Sequence, residues 1–346
     1  MSGRRVWKII RNIILVLIAL VAAFFLLFVP WFFSRFITTH KYHFPDPNDG
    51  KTPASFGMEA YTPIAFPSTD GIPLKGWFVP ASPNARGTII LCHGMNRTRV
   101  EMLPMAAYAH SLGFDSVLFD FRHEGQSGGR ITTIGYQERL DVEGAMRYAL
   151  DDLKAARPVI AWGVSMGAAS ALLAAADSPD IAAVISDSAW TTFHELIAHH
   201  AKLFLRLPSF PVPDEIEYGI AWRGHFWPSQ FNLIKAVQRI GRRPILFVAV
   251  QNDRRMPPAY ARALYRASAS PEKALVVVPG HRHGEGFNSG REPYTAALSK
   301  FLGQVAPPKE VAPAENPTTG RRTRPTEKRA SHEGQATHPE AASSSK

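Results

Sequence analysis

A serine flanked by glycines, Gly163-Val164-Ser165-Met166-Gly167, stands between an apolar run and an alanine-rich stretch. A serine nucleophile needs that setting: a strand, a tight turn that presents the hydroxyl above a sheet, then a helix whose N-terminus favours developing negative charge. Gly163 and Gly167 are the small neighbours that let strand and helix approach. The hydroxyl attacks poorly until an adjacent base takes its proton. Where a nucleophile sits on such a turn, an acid and then a histidine follow it in chain order. Asp253 comes just after the apolar run 245–250, and His281 and His283 come just after the run ending at Val278. Both places are strand C-terminal ends, where open sheets of alternating strands and helices gather functional groups. Asp187, one strand earlier, is the rival acid.

Acyl transfer by such a serine makes an oxyanion, which needs preorganised N–H donors often worth several kcal/mol. One is expected at the backbone N–H of Met166, directly after the nucleophile. The second is expected in the loop after the apolar run 88–92, which reads His93-Gly94-Met95-Asn96 and offers the Met95 N–H. His93 is expected to brace this loop rather than carry a proton.

These residues must be positioned by alternating elements. Apolar runs at 88–92, 116–119, 159–162, 182–186, 245–250 and 274–278 read as buried parallel strands. Helical stretches at 100–112, 136–153, 166–176, 258–268 and 292–301 separate them. Runs at 61–66 and 74–79 flank a turn at Asp70-Gly71 and suggest a hairpin added to one sheet edge. The expected fold class is α/β, a mostly parallel sheet with helices on both faces. Residues 188–243 interrupt the alternation. They read either as an inserted cap over the site or as a satellite helix packed on the core.

Residues 13–33 are uncharged and almost wholly apolar, and about 20 such residues span a bilayer core. Pro30, Trp31 and further aromatics end the stretch, as expected at a membrane interface. No good small-x-small cleavage site follows, so an uncleaved anchor is expected. Arg4, Arg5, Lys8 and Arg11 precede it while only Arg35 and Lys41 closely follow. The positive-inside rule then puts residues 1–12 in the cytoplasm and the bulk of the chain outside it, in the periplasm if the source is Gram-negative. Residues 34–56 read as a linker or draped arm, 57–303 as the catalytic domain, and 304–346 as a disordered tail. The net charge of +10 over 346 residues resides largely in the N-terminus and this tail, with no arginine-rich stripe, so no nucleic-acid partner is expected. The one cysteine, Cys92, excludes an intramolecular disulfide and a CxxC motif, and its apolar run predicts a buried small hydrophobe. The adjacent His199 and His200 lack metal-ligand spacing.

Taken in order, Leu91-Cys92-His93-Gly94-Met95, the run 120–129 (DFRHEGQSGG), Gly163 to Gly167, Asn252-Asp253 and His283-Gly284 resemble the α/β-hydrolase superfamily. The resemblance covers roughly residues 57–303. It is nearest to the membrane-anchored Bem46-like and α/β-hydrolase domain-containing 13-like branch. It implies an α/β-hydrolase fold with a Ser165, Asp253, His283 triad and no metal or cofactor. His283 is favoured over His281 because the family histidine precedes a glycine and follows small residues. His123-Glu124 departs from the family's usual Gly-His, which bears on a loop conformation rather than on the fold.

The expected activity is hydrolysis of carboxylic esters, with small-molecule or lipid acyl esters as substrates. A lipid- or thioester-directed acyl hydrolase is the alternative that the anchor motivates. A serine peptidase and a catalytically silent binding protein are weaker rivals.

Overall fold

The computed structural model describes residues 3–308; the expected tail beyond Pro308 lies outside the described residues. Strands β1 (Thr62–Pro67) and β2 (Pro73–Val79) form an antiparallel hairpin, and β2 pairs antiparallel with β4 (Asp115–Phe119). Strands β3 (Thr88–Cys92), β5 (Val159–Val164), β6 (Ile181–Asp187), β7 (Ile245–Val250) and β8 (Lys273–Val278) complete one sheet in the order β1-β2-β4-β3-β5-β6-β7-β8. From β4 through β3 to β8 all pairings are parallel. Every residue of β3, β4, β5 and β7 is buried, which is why these strands read as continuous apolar runs rather than as alternation.

Helices α3 (Leu103–Ser111), α10 (Gly286–Ser289) and α11 (Arg291–Val305) cover one face. Helices α4 (Glu138–Asp151), α5 (Met166–Asp177), α8 (Leu233–Ile240) and α9 (Pro258–Ala267) cover the other. The folded domain runs past the expected boundary at 303: α11 ends at Val305, and the Ala306 carbonyl accepts from Arg86 Nε at 2.9 Å. Leu298, Phe301 and Leu302 hold its last turns in the core.

The interruption at 188–243 divides in two. Helices α6 (Phe193–Leu205) and α7 (Val212–Arg223) pack on each other over the C-terminal ends of the strands. Helix α8 instead packs on α5 and α9 and returns the chain to β7.

Helix α1 (Gly3–Ala23), a π-helical turn at Phe24–Phe28 and α2 (Val29–Thr39) form one unbroken helix, Gly3–Thr39, long and apolar enough to cross a membrane. It runs beyond the expected end at 33 into the segment read as linker. Ser34 and Thr38 spend their hydroxyls on carbonyls of the helix itself, Trp31 O at 3.1 Å and Ser34 O at 2.8 Å, so both can be buried. The burying surface is α7. Gly219 has no side chain there, and a Cβ on it would stand 2.6 Å from Ser34 Oγ. The chain beyond Thr39 is extended and drapes over the loop after β3, with Phe44 N–H donating to Asn96 O at 2.9 Å.

Candidate active site

Ser165 lies between the end of β5 and the first residue of α5, with φ 55° and ψ −117°. A non-glycine residue with positive φ is strained, and here the strain lifts the hydroxyl out of the sheet. Two contacts hold the turn. Ser165 N–H donates to Asp187 O at 2.8 Å, and β5 and α5 meet through Gly163 and Gly167. A Cβ on Gly163 would collide with the Gly167 backbone, and one on Gly167 with Cys92 O.

The structure brings Asp253 and His283 to this serine. His283 Nε2 lies 2.7 Å from Ser165 Oγ, and His283 Nδ1 lies 2.7 Å from Asp253 Oδ2. Because the carboxylate only accepts, the imidazole proton belongs on Nδ1 and Nε2 is left to accept from the serine. Burial opposes the charge on Asp253, but the bond from His283 and the N–H groups of Arg255 and Met256, at 2.8 and 2.9 Å, outweigh it. Its carboxyl is held below the usual range and stays ionised at neutral pH. Asp187 is buried elsewhere, taking hydroxyl bonds from Ser188 and Tyr294 at 2.7 and 3.0 Å, and burial raises its pKa. His281 is exposed and gives its backbone N–H to Glu285.

The loop after β3 is pinned on both sides of Met95. Gly94 N–H donates to Glu101 Oε2 at 2.6 Å, and Asn96 N–H to Glu124 Oε1 at 2.9 Å. Between them, the Met95 N–H meets no acceptor among the described residues, and neither does the Met166 N–H at the start of α5. These two groups are therefore free to donate to a bound oxygen. His93 braces the loop from beneath, with Nε2 accepting from Phe121 N–H at 3.0 Å and Nδ1 donating to Gly94 O at 2.7 Å. Burial lifts the pKa of Glu101 to about 7 and that of Glu124 to about 8.

Two cavities meet at Ser165. One, of about 280 Å³, is walled by apolar residues that include Met95, Trp190, Leu196 and Ile216, and also by Phe33 and Ile37 of α2. The other, of about 90 Å³, is more polar and holds His283, Gly94, Arg97 and Glu101. Arg255 lines both. Sequence reasoning missed Arg255, Glu101 and the contribution of α2. Glu101 had a signal, an acid inside an otherwise apolar helical run; Phe33 and Ile37 had none, since they belonged to a membrane span and a linker.

Cys92 is buried behind the site, and burial pushes its thiol pKa far up, as a small core residue requires. Among the described residues one cluster has metal-capable donors, His194, Asp214 and Glu217. It ties α6 to α7 through a hydrogen bond between His194 Nδ1 and Glu217 Oε2 at 3.0 Å, and none of the three lines either cavity at Ser165.

Comparison with known proteins finds similar chains and a similar fold. Residues 83–216 match the family described as serine aminopeptidase, S33. The uncharacterized protein YqkD of Bacillus subtilis is 28% identical over 252 residues, covering 72% of this chain and 81% of that protein. Protein bem46 of Schizosaccharomyces pombe is 23% identical over 239 residues, covering 68% and 74%. Among solved structures, the esterase Pf2001 of Pyrococcus furiosus superposes with a TM-score of 0.62 at 22% identity, covering 77% of this chain and 98% of that one.

Proposed function

We propose that this chain, with its α/β-hydrolase fold, is a membrane-anchored serine hydrolase that cleaves carboxylic esters through an acyl-enzyme. The observation that carries this reading is the unbroken line from Asp253 through His283 to Ser165, with both hydrogen bonds at 2.7 Å. Ser165 Oγ attacks the acyl carbonyl while His283 Nε2 takes its proton. The N–H groups of Met95 and Met166 bind the resulting oxyanion. As the ester C–O bond breaks, His283 returns the proton to the leaving alkoxide. Water, deprotonated by the same ring, then attacks the acyl-enzyme and frees Ser165. Asp253 orients His283 and balances its charge. The steps need no metal or cofactor.

Pf2001 is described as an esterase, and its likeness to this chain carries the fold alone. The family description favours a peptidase, which the same residues could serve. Comparing turnover of matched ester and amide substrates separates the two. The anchor and positive N-terminus support a cytoplasmic N-terminus with the catalytic domain on the far side of the membrane.

The deciding experiment treats the full chain in detergent with a fluorophosphonate and maps the adduct by mass spectrometry. Labelling at Ser165, lost in Ser165→Ala, is the expected result. Folded protein that stays unlabelled overturns the hydrolase reading in favour of a silent binding fold.

A further inference from the structure

We infer that the substrate is a long-chain acyl ester of a bilayer lipid, and that its chain enters through a cavity wall built by the membrane helix itself. The inference rests on the hydrolase reading above and names the substrate class of the same site.

Three observations carry it. First, Phe33, Phe36 and Ile37 line the same cavity as Ser165 and Met166. Phe33 closes the apolar stretch that spans the membrane, so the cavity begins where the bilayer interface must lie. Second, the helix is docked on the domain rather than tethered loosely to it. It is unbroken from Gly3 to Thr39, and Ser34 sits in the gap left by Gly219 on α7, so a Cβ at that glycine would overlap it. Thr132 N–H adds a bond to Thr38 O at 2.9 Å on the side of the catalytic domain. A flexible tether would place the site near the membrane in any orientation; a docked helix fixes one.

Third, the rim around this junction is apolar and exposed. Phe204 and Leu205 at the end of α6 border the cavity, and Tyr218 and Trp222 stand one turn apart on α7, the helix that holds α2. Trp222 is 74% exposed, and Trp31 on the membrane helix 53%. Exposed tryptophan and tyrosine beside a transmembrane helix suit the headgroup level, where an amphipathic ring is stable. A hydrocarbon chain can therefore pass from the bilayer into the cavity without crossing water. Such a crossing would expose the chain's methylenes to water, which is unfavourable. With the chain between α2 and α6, the ester carbonyl lies at Ser165, and the leaving alcohol faces the smaller polar cavity with Arg97 and His283.

The test uses the full chain in phosphatidylcholine vesicles and an alkyl fluorophosphonate whose long chain ends in a diazirine. Ser165 Oγ displaces fluoride, and irradiation then joins the chain end to its wall. Crosslinks on the peptide holding Phe33 to Ile37, or on α6 at Phe204-Leu205, are expected. Labelling of Ser165 with crosslinks confined to other segments overturns the inference and leaves the hydrolase reading intact; no labelling of Ser165 overturns the hydrolase reading itself. In parallel, Ile37→Trp fills the cavity. It should lower the ratio of long-chain vesicle ester to short-chain soluble ester turnover at least tenfold, and an unchanged ratio counts against the membrane wall.

Discussion

Ser165, His283 and Asp253 sit on three different strand ends, yet two hydrogen bonds join them into one unit. Units of this kind lose function steeply. Asp253→Asn would keep the shape but let the ring take the wrong tautomer, so kcat for a simple ester should fall about 10⁴-fold, checked by initial rates with protein shown to be folded. The two acids behind Met95 add a pH dependence. Burial holds Glu101 and Glu124 protonated to about pH 7 and about pH 8, so each gains negative charge as the pH rises through those values. That charge lies beside the N–H expected to hold the oxyanion and works against it. Turnover should therefore decline on the alkaline side of this window. Glu124→Gln still accepts from Asn96 N–H but cannot ionise, and it should remove the part of the decline near pH 8 while leaving the part near pH 7 that belongs to Glu101; a pH–rate profile unchanged in this variant would refute the role.

Helices and strands explain which parts could be read ahead. Runs that end in a functional residue, such as 88–92 before His93 and 245–250 before Asp253, carry both fold and chemistry in a few contiguous positions. The six parallel strands were legible from their buried apolar runs, and the hairpin from the turn at Asp70-Gly71. The docking of α2 was not. Its contact joins Ser34 to Gly219, two residues far apart in the chain and neither apolar, and hydropathy alone ends the helix at the last phenylalanine pair. Glu124 was visible only as a departure from a familiar motif, and its bond to Asn96 needs the fold to bring two loops together. The glycine contact is open to test. Gly219→Val forces α7 and α2 apart and should cost about 1–3 kcal/mol, as overpacking does. Urea unfolding in detergent reads the loss, and faster proteolysis within residues 40–56 should accompany it.

For the molecule as a whole, one helix decides both address and orientation. On the proposed topology, with the basic end in the cytoplasm, a cysteine replacing exposed Glu272 should react with a membrane-impermeant maleimide on intact cells or spheroplasts, while Arg4→Cys should react only after lysis. Cys92 is buried and should stay silent in both. The opposite pattern would invert the topology. The unbroken run from Gly3 to Thr39 also bears on kinetics. An enzyme on a loose stalk samples the water above the membrane, and its rate follows bulk substrate concentration. One whose catalytic serine shares a wall with its own span works in two dimensions. Its rate should follow the mole fraction of substrate in the lipid phase, falling as inert lipid dilutes that phase even when the total amount of substrate is held constant.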